Sequence, residues 1–160
     1  MTLYILDLDN CLIYSSYTKL EGLECISKRK WHYLYHRPGL GEFLRYVQKS
    51  GDIVFYTSSN MDYAKWIVQS FNLTKECNVF SRKYCRKKYT EYGEIYFKSL
   101  SQIELKKEYS KIIVLDDRTD LWEDNGVELN DIKPFLGEAN DKELQKWMIK
   151  RLKLQPRIGL

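Results

Sequence analysis

Two acids two residues apart, Asp7 and Asp9, close an apolar run that begins at Leu3. Strand side chains alternate, so both carboxylates should point to one side and Leu8 to the other. Carboxylates crowded at the end of a buried strand repel. They persist there only where a cation, a shared proton or a strong donor compensates. An isolated acid pair could equally be an acidic loop or a helix cap, but the pattern recurs along the chain. A second apolar run, Ile53 to Tyr56, leads into Thr57-Ser58-Ser59-Asn60, and a third, Lys111 to Leu115, leads into Asp116-Asp117. A lone ammonium, Lys98, sits in Phe97-Lys98-Ser99-Leu100, which reads as the opening of another helical stretch.

Carboxylates, hydroxyls and one ammonium suit phosphoryl transfer. Four carboxylates around one point call for a hard divalent cation, and few carboxylates with room for water favour Mg2+. An Asp can attack phosphorus, forming an aspartyl-phosphate that splits one hard hydrolysis into two easier steps. A second acid two residues later can protonate the leaving alkoxide and then deprotonate the attacking water. A Thr hydroxyl and a Lys ammonium can hold phosphoryl oxygens as charge shifts in the transition state.

For these groups to meet, the three runs must be parallel strands of one sheet, whose carboxyl ends line a common edge. The intervening segments support this. Leu40, Phe43, Leu44 and Val47 follow helical spacing, and so do Ala64, Ile67, Val68 and Phe71. Pro38 suits the first turn of the former helix and Gly51 its stop. A last helix is expected over about Asp141 to Leu152, with Asn140 and Glu143 in capping-box spacing and Leu144, Trp147, Met148 and Leu152 buried. The alternation predicts an α/β fold with a doubly wound, Rossmann-like parallel sheet. Residues 14–37 and about 78–97 break the repeat. Rich in Tyr, Trp, Lys and Arg, each reads as a hairpin or small sheet near the strand ends. Trp31, Tyr33 and Tyr35 alternate as on a half-buried strand. No linker or internal repeat divides the chain, so residues 1–160 are expected to form one domain carrying an inserted β segment at about 78–97.

Composition narrows the class. With 160 residues, 44% hydrophobic and 30% charged, the chain suits a soluble globular protein with one core. No run of ~18 apolar residues predicts a membrane span. A strand within three residues of the start leaves no room for a signal peptide. Four cysteines lacking a CxxC pair, with only two histidines, argue against structural zinc and for reduced thiols. An intracellular protein, cytoplasmic or nuclear, is expected. The net charge of +4 is modest. Arg82, Lys83, Arg86, Lys87 and Lys88 cluster, as do Lys28, Arg29 and Lys30. They form either solvated faces or a rim attracting a phosphopeptide or nucleic acid.

The ordered set Asp7-Leu8-Asp9-Asn10, Tyr56-Thr57-Ser58-Ser59-Asn60, Lys98 and Leu115-Asp116-Asp117 resembles the haloacid dehalogenase superfamily of aspartate-dependent phosphatases. Within it the chain resembles the RNA polymerase II C-terminal-domain phosphatases, the NLI-interacting-factor-like group. Arg37-Pro38-Gly39-Leu40 with Glu42-Phe43-Leu44, Val79-Phe80-Ser81-Arg82 and Asp116 through Trp122 extend that resemblance over nearly the whole chain. It implies Asp7 as nucleophile and Asp9 as general acid/base. Asp7, Asp117 and the Asp9 carbonyl would bind Mg2+, with Asp116 positioning Lys98 or metal-bound water. Thr57, Ser58 and Lys98 would bind phosphate, and Arg82 would face the substrate. The family usually has Thr or Val in place of Cys11 and often Glu in place of Asn10; Cys11 should be a buried small hydrophobe.

The expected activity is therefore Mg2+-dependent hydrolysis of phosphoserine or phosphothreonine in a flexible peptide, by a monomer with an open cleft. Rival readings are a polynucleotide end phosphatase, favoured by the Arg82 to Lys88 run, or a small-molecule phosphatase. A receiver-type phospho-acceptor module also combines acids, Mg2+, Thr and Lys. It phosphorylates an Asp after a middle strand, however, whereas here acids follow the first and last.

Overall fold

The chain runs from β1 (Thr2–Leu6) into a three-stranded excursion, β2 (Ile13–Ser16), β3 (Ser27–Arg29) and β4 (His32–His36). Then come α1 (Leu40–Ser50), β5 (Asp52–Tyr56), α2 (Met61–Gln69) and β6 (Asn78–Phe80). A hairpin of β7 (Arg86–Thr90) and β8 (Gly93–Phe97) precedes β9 (Lys111–Asp116), β10 (Glu128–Asp131) and α3 (Glu143–Leu154). This is a computed structural model that describes residues 1–123 and 126–155.

The three expected apolar runs become the centre of a five-stranded parallel sheet in the order β10-β9-β1-β5-β6. The short outer strands β6 and β10 carry too few apolar residues to have stood out in the sequence. Alternation along the strands splits the core in two. Tyr4, Leu6, Ile53, Phe55, Ile113 and Leu115 face α1, α2 and α3. Leu3, Ile5, Val54, Tyr56, Val114 and Phe80 pack with Ile103 and Trp122 on the other face. Connections thus wind over both faces, giving the expected α/β architecture. The second face is covered by the irregular segment after Lys98 rather than by an α-helix. Phe97–Leu100, expected to open a helix, instead leads into a 3-10 turn at Leu100–Gln102.

The first predicted excursion forms the antiparallel sheet β2-β4-β3. The second, expected over about 78–97, forms the antiparallel hairpin β7-β8 only from Arg86 to Phe97, because Asn78–Phe80 pairs parallel with β5 as the edge strand β6. Trp31 falls outside β4 and is exposed, whereas Tyr35 is buried. Gly51 caps α1, as expected, and only glycine fits there: a Cβ would collide with the Thr2 carbonyl oxygen. The predicted capping box on the last helix does not form. Helix α3 starts at Glu143, and Asp141 Oδ1 accepts from the Glu143 amide at 3.1 Å. Asp141 takes this place because Arg37 fixes it. Leu152, expected in the core, is exposed at the far end of α3, while Leu144, Trp147 and Met148 are buried.

Arg37 is only 1% exposed. Its guanidinium makes a two-pronged pair with Asp141 (2.8 and 2.9 Å) and donates to the carbonyls of Cys11 (2.9 Å) and Lys133 (2.6 Å). One side chain thereby ties the loop after β1, the segment after β10 and the start of α3. A planar fork of donors is what this geometry needs, and Lys cannot supply it. Removing one partner strands the other as a buried charge. Arg37→Met should therefore cost about 3–5 kcal/mol in urea unfolding, and Arg37→Lys should recover only a small part. A loss below 1 kcal/mol would contradict this account.

Candidate active site

Register builds the site. Leu6 lies opposite Leu115, so the next residues, Asp7 and Asp116, emerge side by side at the carboxyl ends of β1 and β9. The Asp7 amide still donates to the Leu115 carbonyl at 3.1 Å, keeping the two chains together past the strand end. Asp7 is 8% exposed and Asp116 2%. Between them comes Lys98, buried, donating to Asp7 Oδ1 at 2.9 Å and Asp116 Oδ2 at 2.7 Å. Its main chain is pinned on both sides: its amide donates to the Leu121 carbonyl and its carbonyl accepts from the Glu123 amide, both at 3.0 Å.

Asp116 is fully partnered. Trp122 Nε1 donates to Oδ2 at 2.9 Å and the Arg118 amide to Oδ1 at 2.9 Å. Burial alone would raise its pKa; the Lys98 charge and these hydrogen bonds outweigh it, so the carboxyl is held below its usual range. Asp7 behaves oppositely. Burial and the charge of Asp116 push it well above the usual carboxylate range, against the pull of Lys98. One ammonium cannot neutralise both acids, and Asp116 holds it better. Lys98 itself is kept charged: desolvation opposes the ammonium, but Asp7 and Asp116 together prevail and raise its pKa. Asp117 approaches Asp7, and burial raises its pKa too. Carboxyl oxygens of Asp7, Asp116 and Asp117 lie within 4.8 Å of one another. Three acids against one ammonium leave excess negative charge in a nearly dry place, which is what a divalent cation would relieve. The free oxygens belong to Asp7 and Asp117, so the donor set fits a hard cation with remaining positions open to water.

The carboxylate of Asp9 stands outside this cluster, contrary to the expected four acids around one point. The strand ends at Leu6, and a tight turn follows in which Cys11, Leu12 and Ile13 amides all donate to the Leu8 carbonyl. Asn10 adopts a left-handed φ of 61° there. Strand alternation therefore does not carry through, and Asp9 reaches sideways. Ser59 Oγ donates to its Oδ2 at 2.8 Å and the Tyr63 hydroxyl to its Oδ1 at 2.7 Å.

Thr57 is buried at the end of β5, its Oγ1 accepting from the Ser59 amide at 3.1 Å. Ser58 is exposed on the rim. Arg82 is tied to the same loop: its amide donates to the Ser59 carbonyl (2.8 Å) and its Nε to the Ser58 carbonyl (2.7 Å), while its guanidinium lies over Tyr96 at 4.8 Å. Asn60 caps α2, accepting from the Tyr63 amide at 2.9 Å. Cys11 is buried and its thiol pKa is pushed well up by burial, which makes it the packing residue expected.

Sequence reasoning thus found Asp7, Lys98, Asp116 and Asp117 as neighbours. It gave no individual role to Ser59 or Trp122, which it named only within longer runs, and did not single out Tyr63. The i, i+3 relation of Asn60 to Tyr63 was a local signal that the loop enters a helix immediately and could have placed Tyr63 near the strand ends. Nothing local marks Trp122 as a donor to Asp116.

A parallel sheet with acids, hydroxyls and a lysine at its carboxyl edge is the plan of a haloacid dehalogenase-type phosphatase. Residues 2–156 match the NLI interacting factor-like phosphatase family, and the chain belongs to that family. It is 28% identical over 146 residues to Phosphatase PSR1 of Saccharomyces cerevisiae, a match covering 88% of this chain and 33% of that protein. It is 26% identical over 169 residues to the putative CTD phosphatase-like protein 355R of Invertebrate iridescent virus 6, covering 91% and 92% respectively. The solved structure of Fcp1, an essential RNA polymerase II CTD phosphatase, is similar at a TM-score of 0.59 and 24% identity, a likeness of fold. That match covers 95% of this chain and 49% of that one. This chain therefore spans only a third of PSR1 and about half of the Fcp1 chain.

The charge imbalance has a measurable sign. A carboxyl whose pKa is raised on folding stabilises the fold below its unfolded pKa and loses that contribution as pH rises through the folded value. Asp7 is such a group. In EDTA, Asp7→Asn, which mimics the neutral acid, should raise the melting temperature at pH 7.5. The gain should shrink as pH falls toward about 4, the unfolded range. A gain that is independent of pH, or a loss at pH 7.5, would contradict the assignment.

Proposed function

We propose that the chain is a Mg2+-dependent phosphoserine/phosphothreonine protein phosphatase working through an aspartyl-phosphate on Asp7. The observation that carries this is the buried Asp7 carboxyl, held by Lys98 at Oδ1 and clustered with Asp116 and Asp117 within 4.8 Å. It stands at the carboxyl edge of the sheet, held by Lys98 but not neutralised by it, because Asp116 competes for the same ammonium. Its family and its relatives named as CTD phosphatases support a phosphorylated peptide as substrate.

In this reading an Asp7 oxygen attacks phosphorus and the bond to the leaving serine or threonine oxygen breaks. Asp9 supplies the proton that the alkoxide takes up. Water then attacks the phosphorus of the acyl phosphate, Asp9 accepts its proton, and Asp7 is released with inorganic phosphate. Ser59 and Tyr63 orient Asp9 for both transfers. Lys98 and Thr57 hold phosphoryl oxygens, while Trp122 and the Arg118 amide keep Asp116 turned toward Lys98. Mg2+, held by Asp7, Asp117 and the Asp9 carbonyl, would supply the positive charge that the three acids lack. A polynucleotide substrate is less well supported than the basic run suggested. Arg86 is paired bidentately with Glu123 and Lys87 with Glu94, so much of that charge is already answered.

With Mg2+ the purified protein should hydrolyse p-nitrophenyl phosphate, and EDTA should abolish this. Asp7→Asn should remove activity below detection. Asp9→Asn should lower kcat about 10²–10⁴-fold, the usual worth of general acid–base catalysis. Full activity in Asp7→Asn would sink the mechanism. Comparing phosphopeptides with 3′-phosphorylated oligonucleotides and nucleotides tests the substrate class. A clear preference for either non-peptide class would overturn the protein-phosphatase reading.

Trp122→Phe keeps the ring but removes the donor to Asp116. If Asp116 acts by holding Lys98, kcat should fall about tenfold, in line with one charge-assisted hydrogen bond, with KM nearly unchanged. An unaltered kcat would show that the indole donor is dispensable.

A further inference from the structure

The β7–β8 hairpin is a two-stranded sheet, so its outer edges carry no partner strand. A lone hairpin is at best marginally stable in water. Here it is fastened at its base: Arg86 to Glu123 at 2.8 and 3.0 Å, and Arg82 over the Tyr96 ring. Both of its roots lie in the site. Arg82, just before β7, binds the Ser58 and Ser59 carbonyls, and Lys98, just after β8, binds Asp7.

The register fixes which main-chain groups face outward. Thr90 pairs with Gly93 across a two-residue loop, then Lys88 with Ile95 and Arg86 with Phe97. A two-residue loop closes on a hydrogen-bonded pair, and such pairs alternate with unbonded ones. Arg86, Lys88 and Thr90 therefore bond to β8, while Lys87 and Tyr89 turn their amides and carbonyls to the open edge. No main-chain partner for either is found among the described residues. The edge spans five residues, roughly 17 Å at about 3.4 Å each, leading away from the site. It carries three cations and no acid, whereas β8 carries Glu94. Two of the three cations are paired, Arg86 with Glu123 and Lys87 with Glu94. Among the described residues Lys88 has no ion-pair partner, and Lys83 lies just ahead of the strand, facing the Tyr84 ring.

We propose that the open edge of β7 docks the substrate as a third strand: an extended peptide flanking the phosphorylated residue, held by main-chain hydrogen bonds to Lys87 and Tyr89. This rests on the reading of the substrate as a phosphoprotein. Strand addition suits it because main-chain pairing gives affinity with little sequence demand. Lys88, which has no ion-pair partner among the described residues, supplies the charge that favours an anionic peptide over other edge-seeking segments. The competing explanation is that the lysines merely blunt an exposed edge against aggregation.

The test uses the full chain with Mg2+ and a set of phosphoserine peptides of about eleven residues, each N-methylated at one flanking position. Strand addition predicts that on one flank alternate positions raise KM about fivefold to tenfold, the worth of one main-chain hydrogen bond. The intervening positions should change little, and kcat should hold throughout. Equal effects at all positions, or none, would overturn the proposal. A second arm uses Tyr89→Pro, which removes an outward amide and no ladder bond. It should lower the ratio of kcat/KM for the unmethylated peptide to that for p-nitrophenyl phosphate by a similar factor, and Tyr89→Phe should not. An unchanged ratio in Tyr89→Pro would overturn the proposal. Hydrolysis of p-nitrophenyl phosphate with no turnover of any phosphopeptide would instead bring down the substrate reading, and the docking edge with it.

Discussion

Three carboxyl groups share one ammonium at the junction of β1 and β9, and the surrounding structure is arranged around that shortage of positive charge. Parallel pairing leaves Asp7 and Asp116 no choice but to emerge together, and the strands are buried on both faces, so water cannot screen them. Lys98 is the one buried cation that hydrogen-bonds to these acids among the described residues. Burying it between two acids makes sense only because both oxygens it meets are fixed. Its own backbone is bridged to residues 121–123, and that bridge also delivers Trp122. A single contact between two irregular segments therefore sets both the ammonium and the indole donor of Asp116. Asp116 is satisfied as a result, and Asp7 is left as the group with unmet charge. In the proposed reaction that difference matters: Asp116 is bonded on both oxygens by main-chain, indole and ammonium donors, whereas Asp7 has only Lys98 as a donor.

A second buried charge, Arg37, does for the fold what Lys98 does for the site. It is spent on main-chain carbonyls and one remote carboxylate rather than on ligands. Because it holds the Cys11 carbonyl, it braces the turn that swings Asp9 away from Asp7. The local left-handed Asn10 and the three amides converging on Leu8 define that turn, but only a long-range tie fixes its tilt against the sheet. Cys11 fits the same account. Its thiol points to the Leu115 carbonyl at 3.6 Å and fills the space beneath the acids, where a larger side chain would displace β9.

The central part of this arrangement was readable in the chain because buried parallel strands are nearly continuous apolar runs, and whatever follows such a run is at the strand's end. Asp7, Thr57, Asp116 and Asp117 were placed by that logic alone. What the sequence concealed depended on contacts across long separations. Arg37 and Asp141 are 104 residues apart, and their pairing is what displaced the expected capping box from Asn140. The basic run from Arg82 looked like one uniform patch, yet Arg86 finds Glu123 from 37 positions away. The strands β6 and β10 escaped notice because edge strands need less hydrophobicity than central ones. Asp9 was misplaced for a different reason: strand periodicity was extended past the residue at which the strand ends.

The site consequently divides into two kinds of support. Asp7, Asp116 and, through the bridge, Lys98 are set by sheet register, in which a slip of even one residue would turn a strand's core face outward. Asp9, Thr57, Ser58 and Arg82 are set by connections. These are not independent of one another. Ser59 donates to Asp9 through its hydroxyl, to Thr57 through its amide, and accepts from the Arg82 amide through its carbonyl. Arg82 in turn supports the hairpin by stacking on Tyr96. The connection after β5 thus joins Thr57, Asp9 and the root of the outlying strand pair in one hydrogen-bonded unit. Displacement of the hairpin by a bound chain would be felt first at Arg82, then at Ser59, and so at the orientation of Asp9, while the register-bound Asp7 stays where the sheet holds it.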